Sequence, residues 1–124
     1  MQVENDPLFK ISKLEQQDGT ISATIDINKD CEIFKGHFPG QPVVPGACML
    51  QIVMDVLEKA LGSAFRLKKA DHLKFIVMIE PGNTQTVVLD IAYKFIEEDD
   101  INVTAKLVNN DMICFKFKGR FGKR

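Results

Sequence analysis

Residues 20 to 27 alternate strictly, with Ile21, Ala23, Ile25 and Ile27 on one side and Ser22, Thr24 and Asp26 on the other. That period of two marks a strand with one wet face. A preceding segment, 11 to 17, is joined to it across Asp18-Gly19, which predicts an antiparallel hairpin. From Leu73 onward, four segments rich in Ile, Val and Phe recur at 73–79, 86–97, 101–109 and 112–121. Turn-forming clusters separate them: Pro81-Gly82-Asn83, Glu98-Asp99-Asp100 and Asn109-Asn110-Asp111. Alternation returns in Val103, Ala105 and Leu107 against Thr104 and Lys106, and in Cys114, Lys116 and Lys118 against Phe115 and Phe117. Between the two groups of strands, Ala47 to Leu57 is apolar on nearly every face. It predicts a buried helix that starts at Pro45 or Gly46 and stops near Leu61, with Gly62 as its C-terminal cap. A helix without a polar face, beside a sheet with one apolar side, should be wrapped by that sheet. The expected class is therefore α+β, a curved antiparallel sheet around one long central helix, as a single domain over residues 1–124.

Composition adds mainly exclusions. The 124 residues suit one domain with a real core. The hydrophobic share of 45% and charged share of 27% are those of an ordinary globular chain. A formal net charge of −1 gives no reason to expect nucleic acid or an anionic membrane as partner. Cys31, Cys48 and Cys114 are widely spaced and form no C-x-x-C pair, so neither a disulfide framework nor a zinc site is expected. Residues 1–10 lack the apolar core of a signal peptide and no apolar run reaches membrane-spanning length, so the expectation is a cytoplasmic protein.

Candidate chemistry is concentrated in residues 34 to 46, Phe-Lys-Gly-His-Phe-Pro-Gly-Gln-Pro-Val-Val-Pro-Gly. Pro39, Pro42 and Pro45 fix φ and push the residue before each toward extended geometry. The run thus places His37, a base with an ordinary pKa near neutrality, in a constrained loop directly before the helix. It resembles the Gly-His-Phe-Pro-x-x-Pro-x-x-Pro-Gly signature of the (3R)-3-hydroxyacyl-acyl-carrier-protein dehydratases of bacterial fatty acid synthesis, enzymes of the hot-dog fold. Gly36, His37, Phe38, Pro39, Pro42, Pro45 and Gly46 fill every fixed position. A fainter likeness continues at Phe75 and Pro81-Gly82, with Met78 in place of the family's proline.

The resemblance implies a hot-dog dimer, homodimer or higher, whose site lies at the seam between chains. It implies a hydro-lyase that removes water from (3R)-3-hydroxyacyl thioesters carried on the phosphopantetheine of acyl carrier protein, with no metal or redox cofactor. His37 would be the base, the Gly46 N–H would bind the thioester carbonyl, and Phe38, Val43 and Ala47 would line the substrate. One position departs from the pattern. Five residues beyond the Pro-Gly pair the family carries the acid, Glu or Asp, with Gln four residues later; here Gln51 comes first and Asp55 second. Asp55 lies one turn from Gln51 on the same face, so it can take the acid's role, with Gln51 positioning it. Burial would raise its pKa and keep part of it protonated. The alternative at Asp55 is a polar residue merely paired with Gln51 or with backbone. Correspondingly, the chain is a dehydratase, or a non-catalytic thioester-binding subunit or half-site partner in a heteromer, or, third, a hot-dog thioesterase in which Asp55 activates water. His72 and Cys48 receive no role. Two basic stretches, Arg66, Lys68, Lys69 and Lys74, and Lys118, Arg120, Lys123 and Arg124, read as solvated surface or as docking sites for an acidic carrier.

Overall fold

The computed structural model describes residues 9–28, 46–76, 86–97 and 99–124, with only the backbone of residues 46 and 47. In chain order the elements are β1 (Phe9–Gln17), β2 (Thr20–Ile27), α1 (Gly46–Leu61), β3 (Phe65–Phe75), β4 (Thr86–Phe95), β5 (Asp100–Asn109) and β6 (Met112–Lys123). The six strands form one antiparallel sheet in the order β1-β2-β4-β5-β6-β3. It curves around α1, which is the expected hot-dog arrangement.

The hairpins close where turn chemistry predicts. Gly19 takes φ +76° between β1 and β2. Asn110 and Asp111 both take positive φ, 50° and 65°, in the two-residue connection of β5 to β6. Two successive left-handed residues match the twist of the strands they join, and Asn and Asp tolerate that geometry best among residues with a side chain. The core is built from alternate residues of β2, β4, β5 and β6: Ile21, Ala23 and Ile25, Val87, Leu89 and Ile91, Val103, Ala105 and Leu107, and Phe115, Phe117 and Phe121. Met49, Ile52, Val53, Val56 and Leu57 of α1 are buried against this face. Each such side chain contributes about 1.5–3 kcal/mol through burial.

Three expectations change. The helix is not apolar all round: Gln51 is exposed and Asp55 and Glu58 are half-buried, on the side turned away from the buried stripe. The segment starting near Leu73 is the end of a longer strand that begins at Phe65. Residues 66–75 are all exposed, so neither face imposes an apolar period on this part of the sequence. Cys114 is buried beside Phe115, because the β5–β6 register shifts between Leu107 and Val108 and a bulge breaks the alternation there.

Because β3 pairs with β6, the third strand in sequence forms a free-standing sheet edge among the described residues. Its attachment is close: a Cβ on Gly119 of β6 would collide with the Lys69 carbonyl oxygen and the Phe117 ring. A charge clamp assists. Lys68 Nζ donates to both carboxylate oxygens of buried Asp100 at 3.0 Å, and Arg120 Nη1 stands 3.7 Å from the same group.

Candidate active site

Helix α1 carries the described part of the site. Pro45-Gly46 precedes a run with no further Gly or Pro before Gly62, so the helix starts at Gly46 and stops at Leu61. Gly62 caps it at φ +69°, its N–H donating to the Glu58 carbonyl at 2.8 Å. The N–H groups of the first turn, Gly46 foremost, have no acceptor within the helix and sit at its positive end. Ala47 follows in the same turn.

On the outward face, Gln51 Nε2 donates to Asp55 Oδ1 at 2.7 Å. The spacing of four residues brings the two side chains together, one above the other. Loss of water pushes the Asp55 carboxyl above its ordinary range, the Gln51 amide pulls it partly back, and the negative Glu58 one turn further raises it again. Glu58, to which no motif points, is a further polar residue of this face. Its Oε2 accepts the Phe65 N–H at 2.7 Å and lies 3.7 Å from Arg124, which anchors the helix end to the start of β3. Its spacing of three residues from Asp55 was the available signal.

The structure therefore brings Gln51 and Asp55 together and places Gly46 at the start of their helix. His37, Phe38 and Val43 lie outside the described residues, as does Cys31. His72 is exposed in the middle of β3, and Cys48 is half-buried on α1. Among the described residues no cluster of His, Cys, Asp and Glu could hold a metal ion, and no helix is long and apolar enough to cross a membrane. A depression of about 640 Å³ lies on the outer face of the sheet, lined by Ser22, Asp90, Thr104 and Lys106 among others and by no residue of α1. It is separate from the Gln51–Asp55 pair.

Comparison with known proteins agrees with this architecture. The chain is 22% identical to the 3-hydroxyacyl-[acyl-carrier-protein] dehydratase FabZ of Fusobacterium nucleatum over 109 residues, 84% of this chain and 76% of that one. The FabZ of Lactobacillus helveticus is 29% identical over 86 residues, 62% of this chain and 58% of the relative. Among solved structures, the dehydratase heterocomplex ApeI:P from Xenorhabdus doucetiae superposes with a TM-score of 0.72 at 20% identity, covering 91% of this chain and 96% of that one. A thioesterase from Pseudomonas aeruginosa superposes at 0.62 with 6% identity, covering 90% of this chain and 79% of that one. At these identities the likeness to solved structures establishes the fold alone. The model of the ApeI-like family, described as ApeI dehydratase, matches residues 13–116, a span that includes the Gly-His-Phe-Pro motif and the whole of α1. The chain belongs to the ApeI-like dehydratase family.

Proposed function

We propose that this chain eliminates water from (3R)-3-hydroxyacyl thioesters presented on an acyl carrier protein, with Asp55 as the acid and His37 as the base. The observation that carries the reading is the Gln51–Asp55 hydrogen bond on the outward face of α1, beside a carboxyl whose pKa is raised. An acid must hold its proton near neutral pH, and a raised pKa favours that state. The amide of Gln51 occupies one carboxyl oxygen and leaves the other for the substrate hydroxyl.

In this mechanism His37 takes the C2 proton, while the Gly46 N–H stabilises charge developing on the thioester carbonyl oxygen. The C3–O bond breaks, Asp55 protonates the departing hydroxide, and the C2=C3 double bond forms as water leaves. Asp55 ends as carboxylate and His37 as imidazolium; the elimination is redox-neutral and calls for no electron carrier. Because the pair points away from its own chain's core, a second hot-dog chain facing it would complete the site. The dehydratase names of the relatives support the class of reaction; carrier, chain length and pathway extend it.

Gln51, standing where the family's acid is expected, favours a second reading: a thioester-binding or half-site subunit. Product analysis with a 3-hydroxyacyl-carrier substrate separates the readings. The proposal expects an enoyl thioester, and it expects His37→Ala to lower turnover by about 10²–10⁴-fold with the fold retained. Free acid plus thiol would mark a thioesterase instead. An inactive parent chain that Gln51→Glu alone activates would establish the subunit reading.

A further inference from the structure

Helix α1 carries two carboxylates three residues apart, and their surroundings are unequal. Among the described residues Asp55 accepts from one neutral donor, the Gln51 amide at 2.7 Å. Glu58 is held from outside the helix: its Oε2 accepts the Phe65 N–H at 2.7 Å, and Arg124 Nη2 stands 3.7 Å from the same oxygen. Both anchors are themselves fixed. Phe65 is fully buried at the start of β3, and the Arg124 N–H donates to the Ala64 carbonyl at 2.9 Å. The Glu58 carbonyl accepts from Gly62 at the helix cap, so its backbone is pinned as well. Residues three apart on a helix are surface neighbours, so this tethered charge stays beside Asp55.

The charges around Asp55 come from its own helix. The strands packed on α1 turn apolar side chains toward it, Ile11 and Leu14 from β1, Ala23 and Ile25 from β2 and Phe65 from β3. Lys59, one turn beyond Asp55, is exposed and makes no ion pair with it among the described residues. Glu58 is thus the fixed charge beside Asp55, and Arg124, just beyond β6, is the charge beside Glu58. Two neighbouring carboxylates in a partly dry setting compete to ionise, and the proton stays on the member with the poorer partners. Here that member is Asp55. Loss of water raises its carboxyl, the Gln51 amide lowers it in part, and Glu58 raises it again.

We propose that Glu58 is a positioning residue for the elimination: tethered to Phe65 and Arg124, it keeps the proton on Asp55 until the substrate hydroxyl departs. The proposal rests on the reading of Asp55 as the acid, and it makes Arg124 an opposing influence on that acid. No bond is made or broken at Glu58; its contribution is electrostatic. Without it the same aspartate would lose its proton at lower pH, and the alkaline limit of turnover would move down.

The test reads Asp55 directly, by carbon NMR titration of its side-chain carboxyl in the full chain without substrate, with Asp55→Asn identifying the signal. In Glu58→Gln, whose amide oxygen can still accept from Phe65, the midpoint should fall and the protonated fraction at pH 7 should drop by about twofold or more. Arg124→Gln removes the cation facing Glu58 and should move the midpoint the other way. It leaves Glu58 and its contact with Phe65 in place, so the test stays open should Glu58→Gln fail to fold. A merely structural Glu58 would lower the melting temperature and move neither midpoint. Midpoints unchanged in both variants, or moved in the same direction, would overturn the proposal even if Asp55→Asn is inactive. Turnover of a 3-hydroxyacyl-carrier substrate is then followed against pH in the same variants, and its alkaline limb should track the midpoint. A limb that stays in place while the midpoint moves would overturn Asp55 as the acid, and with it the catalytic role of Glu58, while the coupling between the two carboxylates stands.

Discussion

The two faces of α1 differ in what they ask of the sequence. The inward face is occupied by Met49, Ile52, Val53, Val56 and Leu57, each 3% exposed or less, and its content is volume. The outward face carries Gln51, Asp55 and Glu58, and its content is a hydrogen bond, a charge and a raised pKa. Sixteen residues thus divide between packing and, on the proposed reading, chemistry with little overlap. Substitutions on one face should be nearly silent in the property that belongs to the other.

Asp55→Asn is the strongest test of that separation. The amide keeps the shape and can still accept from Gln51, but it has no transferable proton. Turnover should fall by about 10²–10⁴-fold with an unchanged circular dichroism spectrum. Full activity would place the acid elsewhere. On the inward face, Leu57→Ala should cost about 2–5 kcal/mol in denaturant unfolding, because it leaves a cavity at a fully buried position. Activity of the fraction that remains folded should change by less than about threefold; a larger loss would show that core packing sets the site's geometry. The paired exchange Gln51→Glu with Asp55→Gln restores the family's order, and turnover within about tenfold of wild type is expected in a steady-state assay.

The smallest effect concerns pH. A carboxyl whose pKa is higher in the folded than in the unfolded chain favours folding while protonated. Its contribution is complete below the unfolded pKa and is lost as pH rises through the folded value. Asp55 is such a group. Asp55→Asn should therefore melt about 1–3 °C above wild type at pH 8, and the difference should vanish near pH 3. Equal melting temperatures at pH 8 would mean that Asp55 carries no net cost when ionised.

Much of this was legible in the residue pattern. The strands β2, β5 and β6 announced themselves through alternation and β4 through its share of apolar residues between turns, and Gly19, Gly62 and Asn110-Asp111 marked turns and the helix end that adopt the required positive φ. The Gln51–Asp55 contact followed from helical spacing alone. Two features were hidden for physical reasons. The first half of β3 faces water on both sides, so no burial imprinted a period on Arg66 to His72. On α1, helical spacing pairs Gln51 with Asp55, but Glu58 joins their face only once the helix is wound. His37, Phe38 and Val43 lie outside the described residues, so the assignment of His37 as the proposed base rests on the motif.

The exposed edge also bears on how such proteins diverge. The backbone of β3 is constrained by its ladder with β6, by the close approach at Gly119 and by the Lys68–Asp100 clamp. Ten of its eleven side chains are exposed, and of these Phe75 stacks on the buried Phe115 ring at 5.2 Å between centroids. Exposed substitutions of this kind ordinarily shift stability by no more than about 0.5 kcal/mol. A lineage can therefore rewrite the charge of this strand residue by residue while the fold is inherited intact.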